Sequence, residues 1–125
     1  MQIDIRACRV EEIDTEQAVT LGLSGGAKIR IESRFDLAGA DSAHRTIDPE
    51  DPGSDRDLQG MLRGQVVEAA TADGDTGSLT IVFTGGLCLR VPPDPDFESW
   101  SASWPDGSLV VALPGGGLSC WGPRR

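Results

Sequence analysis

Apolar and polar residues alternate in two stretches of the chain that match each other. Residues 19–31 read VTLGLSGGAKIRI and residues 79–91 read LTIVFTGGLCLRV. At a constant offset of 60, Thr20 and Thr80, Gly25 and Gly85, Gly26 and Gly86, and Arg30 and Arg90 are identical. Nearly all other pairs keep their apolar or small character. An alternating run, a Gly-Gly and a second alternating run form the pattern of a β-hairpin.

Side-chain parity fixes the turn. A loop of Gly25-Gly26 alone would put Leu21 and Leu23 on one face with Lys28 and Arg30, which a half-buried hairpin cannot accept. A three-residue loop, Ser24-Gly25-Gly26, instead pairs Leu23 with Ala27, Leu21 with Ile29 and Val19 with Ile31. The same register in the second copy pairs Phe83 with Leu87, Ile81 with Leu89 and Leu79 with Val91. Such loops commonly need a left-handed residue, and glycine adopts that conformation freely. A third Gly-rich run, LVVALPGGGLSCW at 109–121, predicts another hairpin. Its extra glycine implies a four-residue loop, Pro114 to Gly117, with Leu113 opposite Leu118 and Val111 opposite Cys120.

Between these units the signals are more varied. Alternation through Ile3 and Ile5 predicts a first strand over 2–13, followed by a turn at Asp14-Thr15-Glu16. Residues 36–57, rich in Asp, Pro, Gly and Ser, read as a long acidic surface connection holding one short edge strand at His44–Ile47. Ser54 and Asp57 have capping-box spacing. Leu58, Met61 and Leu62 then recur at helical spacing and Gly64 closes a short helix, with a strand from Gln65 to Ala70 beyond it. Pro92, Pro93 and Pro95 stop the second hairpin from continuing as a central strand. Ser99–Trp104 re-enters the sheet before a turn at Pro105-Asp106-Gly107. The expected fold is mainly β, with seven or eight strands and one short helix. Two related hairpin units and a C-terminal hairpin build an antiparallel sheet folded as a roll, sandwich or small open barrel, as a single domain over 1–125.

Composition narrows the chemistry. A chain of 125 residues supports one modest core. Twenty acidic residues against eleven basic ones give a net charge of −9, which opposes nucleic acid and anionic membrane as partners. Apolar runs fall well short of the roughly 20 residues of a membrane-spanning helix, and MQIDIRACRVEEID carries no signal-peptide pattern. The expected location is cytoplasmic. Cys8, Cys88 and Cys120 are odd in number and lack a CxxC pair, so they read as small apolar side chains. The Gly-rich loops carry no GxxxxGK[ST] and precede no helix, so they are turns rather than phosphate cradles.

No catalytic residue, cofactor or metal site is expected. His44, the single histidine, would have to serve any Ser or Cys nucleophile, yet it lies in the most loop-like stretch and no GxSxG is present. Asp73-Gly-Asp75-Thr-Gly77 resembles the start of a calcium loop. Gly77 and Thr84 stand where that loop needs an oxygen ligand and a Glu, so a polar turn is the reading. Asp48, Glu50 and Asp51, with Asp94, Asp96 and Glu98, are expected to form an acidic rim that meets a basic protein partner. Six of the twenty acidic residues fall in 41–57 and three in 94–98, while the hairpins at 19–31 and 79–91 have none. Trp100 and Trp104 share a face on a regular strand. They either cover the core or, exposed beside Asp94–Glu98, form a binding hot spot.

The string FESW (97–100), a Pro-Asp-Gly turn and LVVALPGGGLSCW together resemble the ending of a family of small actinobacterial proteins of unknown function. That ending has a (Y/F)E-x-W … PGGxLxxW signature. The likeness extends to L-x-L-x-x-G-x-x-I-R-I at 21–31, IDPED at 47–51 and LRGQVVEA at 62–69, so it covers nearly the whole chain. Phe97 stands in place of the family's usual Tyr, and Ser99 in place of its Ala. The resemblance implies a bacterial single-domain protein and no assigned activity. The functional expectation is a non-enzymatic protein-binding module of immunity or antitoxin type. One alternative is a small-ligand-binding or carboxylate-dependent enzyme domain. A cavity of a few hundred cubic ångströms lined by Trp100 or Trp104, with converging carboxylates, would favour it. The other is a homo-oligomer joined through edge strands, which prolines at 92–95 and charges along 28–34 would partly guard.

Overall fold

A computed structural model describes residues 1–39 and 44–122 and places the two matching hairpins in different sheets. The first sheet is ordered β1 (Val10–Asp14), β2 (Val19–Leu23), β3 (Lys28–Ile31), β9 (Trp100–Ser103), β10 (Leu109–Ala112) and β11 (Leu118–Trp121). The second runs β5 (His44–Ile47), β4 (Phe35–Ala38), β8 (Cys88–Val91), β7 (Leu79–Phe83) and β6 (Val67–Ala72). Every strand pairing is antiparallel, and neither sheet closes into a barrel. One helix, α1 (Ser54–Leu62), lies between β5 and β6.

Both repeated hairpins have the register that side-chain parity demands. Val19 faces Ile31 and Leu21 faces Ile29; Leu79 faces Val91 and Ile81 faces Leu89. The loops close with Leu23 N–H donating to Ala27 O at 2.9 Å and Phe83 N–H to Leu87 O at 2.8 Å. Gly26 and Gly86 each take φ 92° there, the conformation that costs an L side chain most. The twelve inward side chains of the two hairpins are between 0% and 7% exposed and form the centre of one continuous core.

The chain then exchanges strands between its halves. β4 follows β3 but pairs with β8, and β9 follows β8 but pairs with β3. Each sheet therefore holds a three-strand unit of one half and strands of the other. The correspondence reaches single residues. β1 carries a register shift between Val10↔Leu23 and Glu12↔Gly22, and β6 carries one between Val67↔Phe83 and Ala69↔Val82. Phe35 precedes the residue opposite Arg90, Trp100 precedes the residue opposite Arg30, and both aromatic side chains are almost wholly buried.

Several expectations need correction. Eleven strands are present among the described residues, more than the seven or eight expected. The stretch 36–57 is not one connection, because β4 supplies an interior strand with Leu37 fully buried; residues 40–43 lie outside the described residues. The first strand is two pieces. Residues 2–9 bridge to β6 through Gln2↔Thr71 and to the residue before it through Arg9↔Val66, Ala7 turns the chain at φ 68°, and β1 then joins the other sheet. The third hairpin has a three-residue loop like the others, since Leu113 N–H donates to Gly117 O at 3.0 Å. Ala112 thus faces Leu118 and Val110 faces Cys120. That turn packs against the β6–β7 turn, where a Cβ on Gly77 would stand 2.9 Å from Gly117 O and one on Gly116 3.0 Å from Asp75 O. The expected capping box does not form: Gly53 is the N-cap and the Ser54 hydroxyl donates to Asp48 O at 3.0 Å. Lys28–Ile31 is interior and guards no edge.

Candidate functional site

Three connections meet at one cleft of about 320 Å³. The β3–β4 link supplies Glu32, Ser33 and Arg34; the β5–α1 link supplies Asp48, Pro49 and Glu50; the β8–β9 link supplies Pro92, Pro93, Asp94 and Phe97. Their convergence follows from the strand exchange, because β3–β4 and β8–β9 are the two crossovers. Glu32 N–H donates to Ser99 O at 2.9 Å and ties the two crossovers together.

Turn chemistry fixes the acidic side chains. Asp48 Oδ1 accepts Glu50 N–H at 3.0 Å, and Asp94 Oδ1 accepts Asp96 N–H at 2.8 Å and Phe97 N–H at 3.1 Å. Such Asx turns fix the local backbone through one oxygen of the carboxylate. Arg34 Nη2 lies 3.5 Å from Asp48 Oδ2, with the Arg34 side chain 75% exposed, so this pair adds little stability. Four carboxylates and one guanidinium line the cleft, giving it a negative field. Phe97 stands at its wall 65% exposed, the most exposed large apolar side chain among the described residues. The Ser33 hydroxyl is buried there with no hydrogen-bond partner.

The structure brings together Asp48, Glu50 and Asp94 of the expected rim. Asp51, Asp96 and Glu98 belong to the same loops but do not line the cleft. Asp51 Oδ1 instead accepts Gly53 N–H at 2.8 Å before α1. Trp100 is fully buried and its indole N–H donates to Gly77 O at 2.7 Å, so it is core and offers no contact surface. Trp104 is half-buried and does not line the cleft, its indole N–H donating to Asp4 O at 3.0 Å. The exposed aromatic beside Asp94–Glu98 is Phe97. Glu32, Ser33, Arg34 and Phe97 were missed because only the sheet order shows that their links meet. Phe97 and Trp100 lie three apart, so on an extended chain they point opposite ways, and that spacing was the available signal.

The other candidates resolve into structural roles. His44 lies on edge strand β5, exposed, with Nε2 3.5 Å from Asp36 Oδ1. Asp73 Oδ1 accepts the N–H groups of Asp75 at 2.8 Å and Thr76 at 3.1 Å, so 73–77 is a polar turn. The Thr76 and Asp75 main-chain donors hold the Asp73 carboxyl below its ordinary 3.8. Among the described residues no group of three or more His, Cys, Asp or Glu could hold a metal ion, and no helix is long and apolar enough to cross a membrane.

Over residues 1–122 the chain matches the Family of unknown function (DUF6188). No curated protein and no solved structure matches it.

Proposed function

The chain belongs to that family of unknown function, and from its own surface we propose that it binds a basic protein partner in the cleft around Phe97. The observation that carries this reading is the convergence of Glu32, Asp48, Glu50 and Asp94 on one exposed aromatic side chain. Acidic loops attract and orient a cationic partner, and a desolvated aromatic anchor supplies affinity at the centre. In its concrete form the protein masks a basic toxin or nuclease, as an immunity or antitoxin protein does.

The test is affinity capture from the native cell with the wild-type chain, Glu50→Lys and Phe97→Ala. The reading expects one basic protein retained by wild type at low salt, released as ionic strength rises, and lost with both variants. Retention of that protein by both variants, or no specific protein at all, sinks it.

A further inference from the structure

The side of the sandwich that β11 borders is not sealed. Val110 and Cys120 face each other on the core side of their sheet, and Val110 is 5% exposed. Cys120 is nevertheless exposed. An inward-facing residue reached by solvent means that the core is open there. The opening is a cavity of about 420 Å³ between β11 and the segment 1–6 that runs along β6. Its volume falls in the range of roughly 300–1,000 Å³ that accommodates small molecules.

We propose that this cavity binds a small, flat, mainly apolar molecule carrying one anionic group. The apolar residues that line it include Ile3, Leu109, Trp104 and Trp121. The Trp104 ring is already fixed through the indole bond to Asp4 O, so little ordering is lost when a flat molecule stacks there. Trp121 is 54% exposed and loses apolar surface to water-free contact on binding. Two ionic side chains line the cavity, Asp4 and Arg6. Asp4 has an interaction of its own within the fold, whereas Arg6 forms no ion pair among the described residues. An unpaired guanidinium beside apolar walls selects a carboxylate or sulfonate on the bound molecule. In a chain of net charge −9, a general attraction for anions is absent, and of the two described cations at the cavity the Met1 ammonium already donates to Ala72 O at 3.0 Å, which leaves Arg6 to meet the anion. The cavity shares no lining residue with the acidic cleft, and the two sites stand or fall separately.

The test uses 8-anilinonaphthalene-1-sulfonate with the full chain. Its neutral analogue N-phenyl-1-naphthylamine and a quaternary ammonium naphthalene serve as controls. The sulfonate is expected to shift the indole N–H resonances of Trp104 and Trp121 and leave Trp100 unmoved. Arg6→Gln is expected to weaken the sulfonate about ten-fold, the loss of one charge-assisted contact, without changing the neutral analogue. Cys120→Trp, which fills the opening, is expected to abolish both. The proposal is overturned if Arg6→Gln leaves sulfonate affinity unchanged, if the cationic probe binds best, or if the indole resonances of the wild type do not respond. That last measurement needs no variant and decides the matter even if Cys120→Trp fails to fold.

Discussion

The two halves of the molecule share a plan and differ in how each one ends. In the first half, β5 is followed by α1, which lies against β1: Gln59 Nε2 donates to Ile13 O at 3.2 Å and Thr15 Oγ1 to Asp55 Oδ1 at 3.0 Å. Leu58 and Leu62 of that helix are completely buried. In the second half, β10 is followed by β11, whose turn lies against the β6–β7 turn and whose residues Cys120 and Trp121 stay exposed. Equivalent positions in the chain order are thus filled by a helix that seals the core and by a strand that leaves it open. An open end is where a ligand gains access to the core.

The shared plan is tested most severely at its paired aromatics. Trp100→Ala and Phe35→Ala should each cost about 3–5 kcal/mol, a large fraction of the roughly 5–15 kcal/mol that holds an ordinary domain. Trp100→Ala also strips the Gly77 carbonyl of its indole donor. Because β4 and β9 are exchanged, neither half is a complete folding unit. Urea unfolding followed by far-UV circular dichroism and by tryptophan fluorescence should therefore give one coincident transition in both variants. Separate transitions for the two probes would show that the halves are independent.

What could be read in the sequence was the part governed by local parity. The registers of 19–31 and 79–91 follow from which face Lys28 and Arg30, and Arg90 in the second copy, can occupy, and no distant contact changes that. Parity failed at 109–121 because Gly117, at φ 87°, closes the turn opposite Leu113, where the loop packs against Gly77, so apolar matching did not set its length. β4 was hidden because Phe35-Asp-Leu37-Ala is a short alternation of four residues that runs into the polar, acidic stretch after it. The acidic candidates were half legible. Asp48, Glu50 and Asp94 were identifiable by charge, but their meeting with Glu32, Ser33 and Phe97 depends on two crossovers between sheets. The choice between core and surface for Trp100 has the same cause, since only the pairing of β9 with β3 shows that it faces the core and leaves Phe97 exposed.

The difference between the sealed and open ends gives a sharper, smaller test. Leu62→Ala removes a fully buried side chain under α1 and should destabilise by about 2–5 kcal/mol. Cys120→Ala, at the corresponding open end, should stay within about 0.5 kcal/mol, as exposed substitutions do. Chemical denaturation of the two variants measures the gap. Equal losses would mean that β11 is as firmly packed as α1 and that the opening beside Cys120 is closed in solution.

The smallest effect separates the two first turns of the halves. Asp14 Oδ1 accepts one main-chain N–H, from Glu16 at 3.0 Å, whereas Asp73 Oδ1 accepts two. The Asp73 carboxyl is held below 3.8, so the folded state favours its charged form more than the unfolded chain does. The stabilisation is then complete above the unfolded value and disappears as pH falls through the lowered folded one. Asn at this position keeps an acceptor oxygen but has no charge to lose. Asp73→Asn should accordingly be less stable than wild type at neutral pH, with the difference closing as pH falls below 3.8. Asp14→Asn should show a smaller deficit at neutral pH, because one hydrogen bond is weakened instead of two. Thermal melts of both variants and wild type from pH 7 to pH 3 read these differences directly. A deficit in Asp73→Asn that persists unchanged at the acidic end would show that the turn depends on geometry alone and not on the charge.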